Sequence, residues 1–75
     1  MIDKIEFQKR IGRRIEGLRK QKNLSQRGLA KLCLKEGSNI NKIEHGEFNP
    51  SAYYLYEIAT ALGVPVTELF VGLEG

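Results

Sequence analysis

The chain has 75 residues, 41% of them hydrophobic and 28% charged, with a single cysteine and a formal net charge of +3. That length holds one small domain, the composition is that of a folded rather than a disordered chain, and a lone Cys33 excludes an internal disulfide framework. No apolar run approaches the ~20 residues of a membrane span, and the start Met1-Ile2-Asp3-Lys4 lacks a secretory-signal profile, so a soluble cytoplasmic protein with no membrane partner is expected.

Helical periodicity runs through the sequence, and no segment alternates as a strand would. A first helix is predicted over 4–22, where Phe7, Ile11, Ile15 and Leu18 recur at steps of four, four and three and stack on one face. Its other faces carry Lys9, Arg10, Arg13, Arg14, Arg19, Lys20 and Lys22; the basic last turn suits the carbonyl end of the helix dipole, and Asn23 suits the left-handed residue that ends a helix. Ser25 is placed to cap a second helix over 26–33, because its hydroxyl accepts from first-turn amides, and Leu24 and Leu29 bracket the cap as a hydrophobic staple. Leu29, Ala30 and Cys33 then face inward. After a break at 34–36, a third helix over 37–45 buries Ile40 and Ile43 and stops at Gly46. The loop 47–50 leads to Ser51, the cap of a fourth helix over 52–62 with Leu55, Ile58, Ala59 and Leu62 inward and Gly63 at its end. A short fifth helix over 66–71 packs Leu69 and Phe70. The expected fold is all-α: one domain over 1–75, a compact five-helix bundle with its core in 5–71 and a frayed tail at 72–75.

Charge divides the chain. All basic residues fall between Lys4 and Lys42, so twelve of them against five acidic residues give 1–46 a balance of +7, while four glutamates give 47–75 a balance of −4. A basic half suits a polyanion, although a solvated helical surface of mixed charge would carry the same residues. There is no Ser/His/Asp set, no second ligand at metal spacing from His45, and no Gly-rich phosphate loop. Neither an enzyme nor a metal or other cofactor is expected. Cys33 lies on an apolar face, as a small core residue does.

The segment 24–46 has the spacing of a helix-turn-helix: two short helices joined by about three residues. Ala30 is small where the third helix must cross closely. Ile40 and Ile43 anchor that helix from below and leave its opposite face free for a major groove, about 12 Å wide and able to admit one helix.

Ile11-Gly12-Arg13-Arg14-Ile15, Leu18-Arg19, Leu24-Ser25-Gln26, Leu29-Ala30, Ile40, Ile43-Glu44-His45-Gly46, Asn49-Pro50-Ser51 and Ala61-Leu62-Gly63-Val64 follow one another in an order and spacing that resemble the phage-repressor and Cro-like (XRE) helix-turn-helix family. The resemblance covers about 11–70 and implies a lambda-repressor-like bundle that binds a palindromic duplex as a homodimer and regulates transcription, typically as a repressor. It further implies DNA base reading by Gln26, Gly37, Ser38, Asn39 and Lys42, with Asn39 the better candidate for adenine. Arg13, Arg14, Arg19, Ser25, Asn41, His45 and Asn49 are assigned to DNA phosphate, and Arg19 with Glu44 to a structural ion pair. Tyr54, Tyr56, Leu69, Phe70, Val71 and Leu73 are the dimer candidates. A transcription-machinery or toxin partner is a further candidate, and the rival expectation is a protein-interaction or antitoxin-type module that keeps the fold and binds DNA weakly or non-specifically.

Four positions depart from the family. Leu34 stands where glycine usually makes the turn and Lys35 where an apolar residue follows, which predicts an altered turn or a second helix one residue longer. Gly37 removes a longer side chain at the first base-facing position. Glu36 would repel phosphate unless it caps the helix or accepts from a cytosine amino group.

Overall fold

A computed structural model describes residues 1–73 of the chain. The elements are α1 (Lys4–Gln21), α2 (Gln26–Leu32), α3 (Gly37–Glu44), α4 (Ala52–Leu62) and a 3-10 turn, Val66–Phe70. Helix starts follow the capping chemistry of the sequence. Asp3, Ser25 and Ser51 each accept from the amide three residues on, satisfying a first-turn donor that the helix itself leaves free. Helix ends follow one device as well. Asn23, Leu34, Gly46 and Gly63 all adopt positive φ, and the amide after each reaches back across the last turn, as in Leu24 N to Arg19 O at 3.1 Å and Lys35 N to Ala30 O at 2.8 Å.

α2 packs on α3, α1 lies against both α3 and the 3-10 turn, and α4 closes on the 3-10 turn and α2. Between them Ile11, Ile15, Leu18, Leu29, Ala30, Cys33, Ile40, Ile43, Leu55, Ile58, Ala59, Leu62 and Leu69 form one buried cluster. α1 approaches α3 closely at Gly12, where a Cβ would meet the carbonyl oxygens of Ile43 and Glu44, the latter at 2.7 Å. α1 can therefore sit directly on α3 only because residue 12 has no side chain.

The structure departs from these expectations in four places. The bundle has four α-helices rather than five: between Pro65 and Gly72 there is room for only one turn, which closes by a three-residue bond such as Glu68 N to Pro65 O at 2.9 Å. The turn after α2 is not altered and α2 is not extended, because Leu34 itself takes the left-handed conformation, φ 59°, with its side chain 91% exposed. In the tail expected to fray, Gly72 accepts a bond from Arg10 and Leu73 packs against the core, while 74–75 lie outside the described residues. Ile5, at the start of the expected core, is exposed.

Candidate nucleic-acid interface

α3 is amphipathic over its two turns. Ile40 and Ile43 are buried beneath it, and Ser38, Asn41, Lys42 and His45 are exposed along its outer side. One of these four was expected among the base readers beside Lys42, namely Ser38, and two among the phosphate contacts, Asn41 and His45; the fold gathers them on one face. Gln26, at the start of α2, joins them from the side: its Oε1 accepts from Asn41 Nδ2 at 3.2 Å. His45 Nδ1 lies 2.8 Å from the Asn41 carbonyl oxygen. A carbonyl only accepts, so Nδ1 is the donor in this contact.

Beneath this face lies the ion pair expected of Arg19 and Glu44. Nε and Nη2 of Arg19 donate to the two carboxylate oxygens at 2.6 and 3.0 Å, a forked geometry that favours both partners, and the third nitrogen donates to Leu24 O at 2.7 Å. The Glu44 side chain is 1% exposed, and its hydrogen bonds raise Arg19 above the already high guanidinium range. Glu44 also accepts from Gln26 Nε2 at 2.9 Å, so one buried carboxylate ties α1, α2 and α3 together.

Several assignments change. Arg19 is buried with all three nitrogens engaged within the protein, so it is not placed to hold phosphate. Arg14 is likewise spent on structure: its Nε donates to Glu68 O at 2.7 Å, fastening α1 to the 3-10 turn. Leu69 is wholly buried and presents nothing to a partner, and Leu73 is only partly exposed. Asn39 sits on the flank of α3, half-buried beside the Tyr54 hydroxyl rather than on the outer face. That hydroxyl is buried without a hydrogen-bond partner, and burial raises its pKa; the Asn39 amide pulls the other way without reaching bonding geometry.

Other expected residues stand at the surface. Arg13 is exposed, loosely paired with Glu6 at 3.6 Å, and Ser25 and Asn49 are exposed at the ends of their helices and loops. Ser25 uses its oxygen to cap α2, which leaves its hydrogen free. Glu36 occupies the N-cap position of α3 but makes no side-chain cap bond. Lys35, the second departure in the turn, has a structural partner in α4: its ammonium lies 3.1 Å from Glu57 and 4.8 Å from the centre of the Tyr54 ring. Arg27 was not among the expected contacts. It is exposed on the first turn of α2 and its Cα would touch a Cβ at Gly37, a neighbourhood that only the packing of α2 on α3 reveals.

Tyr56, Phe70 and Val71 of the expected dimer residues are exposed, while Tyr54 is half-buried. Tyr56 also lines a shallow apolar groove with Leu32, Leu34 and Tyr53, between the end of α2 and α4. Among the described residues no helix is long and apolar enough to cross a membrane, and no His, Cys, Asp or Glu group is arranged to hold a metal ion.

The family described as "Helix-turn-helix domain" matches residues 12–74. The chain is 38% identical over 64 residues to the immunity repressor protein of Bacillus phage phi105, an overlap of 85% of this chain but only 44% of that repressor. It is 35% identical over 66 residues to control protein C.MunI of a Mycoplasma species, covering 87% of this chain and 89% of the relative. Among solved structures it resembles the restriction-modification controller protein C.AhdI from Aeromonas hydrophila, with a TM-score of 0.83 and 36% identity across 84% of this chain and 96% of that one.

Proposed function

This chain belongs to the phage-repressor and Cro-like helix-turn-helix family of DNA-binding transcriptional regulators, and from that premise we propose that it recognises one duplex sequence as a two-fold dimer and acts as a repressor or controller of nearby genes. The observation that carries the reading is the outer face of α3. Ser38, Asn41, Lys42 and His45 stand exposed on a helix whose opposite side is locked to the core, in the basic half of the chain. A helix presented this way fits a major groove, where side chains of these types reach base edges. Arg13, Arg27 and Lys42 are exposed cations suited to phosphate, which positions the protein without reading sequence.

Dimerisation is assigned to Phe70 and Val71, exposed at the 3-10 turn, with Tyr56 a further candidate. A two-fold dimer would hold its α3 helices about 34–36 Å apart, one turn of B-DNA. The second reading, a protein-interaction module with weak DNA binding, draws on the exposed groove of Leu32, Leu34, Tyr53 and Tyr56.

Selection from random duplex DNA, followed by mobility shifts across salt concentrations, separates the two. Specific binding predicts an enriched palindrome, bound at least about a thousandfold more tightly than random duplex. Each phosphate neutralised should add roughly 0.9 to the negative slope of log affinity against log salt. Equal affinity for selected and random duplex would refute sequence-specific regulation and leave the interaction module.

A further inference from the structure

The amides at the corner of α2 and α3 form a hydrogen-bond chain whose polarity is set from the core. Glu44 begins it. Its buried carboxylate, in its ion pair with Arg19, can only accept. Gln26 must therefore turn its NH2 group inward, which it does at 2.9 Å, and its carbonyl oxygen outward. That oxygen accepts from Asn41 Nδ2 at 3.2 Å, so Asn41 in turn has its NH2 group directed at Gln26. Asn41 is exposed, and its side-chain carbonyl oxygen and second N–H make no bond within the protein, which leaves an acceptor and a donor on one amide.

That pair complements one base edge in the major groove: adenine, with a donor at N6 and an acceptor at N7. A phosphate group, which only accepts, would use the N–H and be opposed by the carbonyl. We propose that Asn41, expected above to hold phosphate, reads adenine, with Gln26 and Glu44 as the positioning residues that fix its amide. An unsupported asparagine on an exposed helix face can flip and present either order of donor and acceptor. Here a flip would set two amide oxygens against each other at Gln26, so the reading orientation is held before DNA arrives. The role first expected of Asn39 passes to Asn41 because Asn39 is turned to the flank of α3 beside Tyr54.

The inference rests on specific DNA binding, and one set of measurements tests both. Wild type and Asn41→Ala are each taken through selection from random duplex, and the affinities of both for the wild-type site are measured with adenine, guanine or 7-deazaadenine at each conserved adenine. Circular dichroism checks that the variant, changed at an exposed helical position, is folded. Wild type should enrich a site with an adenine on which it loses about 10- to 100-fold when guanine replaces it, the range for one bidentate contact, and several-fold when N7 alone is removed. Asn41→Ala should lose preference at that position only and be indifferent to 7-deazaadenine there. An enriched wild-type site that Asn41→Ala selects unchanged, or equal losses by the variant on selected and random duplex, overturns the adenine assignment alone. If wild type enriches no sequence, specific binding itself has failed and the assignment falls with it.

Discussion

Replacing Leu34 with glycine is expected to stabilise the protein. The backbone at this residue is left-handed, φ 59°, a conformation that costs a residue bearing a Cβ about 1–2 kcal/mol. The conformation is required, because it lets the Leu34 and Lys35 amides bond back to Lys31 and Ala30 at 3.2 and 2.8 Å and so turns the chain from α2 toward α3. The side chain returns little for the strain, being 91% exposed. Glycine removes the strain and gives back about 0.5–1 kcal/mol through its greater freedom in the unfolded chain. The net gain is therefore ~0.5–1 kcal/mol, and at ~4–8 °C per kcal/mol for a domain of this size Tm should rise by ~2–8 °C. Thermal melts by circular dichroism read the shift, and urea titrations should show a higher midpoint with an unchanged slope. Leu34→Ala is the control: it discards the exposed isobutyl group but keeps the Cβ, so its Tm should stay close to wild type. A lower Tm for Leu34→Gly, or an equal rise in both variants, would refute the assignment of strain to the backbone.

Two further outcomes follow from the packing. Gly12→Ala should destabilise by at least the ~1–3 kcal/mol typical of overpacking, since the new methyl meets backbone carbonyls of Ile43 and Glu44 that cannot move aside without shifting α3. Gly17→Ala, in the same helix with nothing within 4 Å of the added atom, should instead stabilise by ~0.5–1 kcal/mol; urea midpoints that move together would contradict the close α1–α3 contact. Stability should also fall in alkali. Burial, reinforced by Glu57 and opposed by Lys35, raises the Cys33 thiol, and burial raises the Tyr54 phenol, so the folded state keeps protons that the unfolded chain gives up. Their contributions are fully present below the ordinary values of about 8.5 and 10 and are lost as pH rises through the higher folded ones. Urea midpoints measured from pH 7 to 11 should decline above about pH 8.5, and Cys33→Ala should remove the earlier part of the decline. A wild-type profile flat to pH 11 would contradict this account.

The caps at Ser25 and Ser51, the left-handed Asn23 and the inward stripes of α1, α2, α3 and α4 were legible because each rests on residues within a turn of one another. What was not legible depends on distant partners. Arg14 reads in the sequence as one more cation on a basic helix, yet it is bonded 54 residues away, whereas the partner of Arg19 was legible only through the family resemblance. Leu69 is a dimer candidate by sequence because nothing nearby in the chain covers it, and the core does. The turn shows local preference losing to tertiary structure. A leucine resists positive φ, but Lys35 is drawn to Glu57 and the Tyr54 ring while Ile40 is fixed in the core, and together they hold the chain to the geometry that glycine usually serves. On α3 the structure exposes Ser38, Asn41, Lys42 and His45 and half-buries Asn39; which of two asparagines faces outward turned on two residues of helical rotation that sequence spacing left open.

α3 has eight residues and no side-chain cap at its start, too little to hold a helix in water by itself. Its order is imposed from three directions: by α1 through the bare backbone at Gly12, by α2 through Gln26 and the shared Glu44, and by α4 through Lys35 at the preceding turn. None of these attachments passes through Ser38, Lys42 or His45. Those three can therefore be exchanged with little effect on what holds the helix, so target preference can change while the scaffold stays. Asn41 differs, since its amide ends the chain that begins at Arg19 and Glu44. A substitution at Glu44 should thus alter the reading of a base that Glu44 never touches, and it is at Asn41 that the scaffold and the reading surface are the same set of bonds.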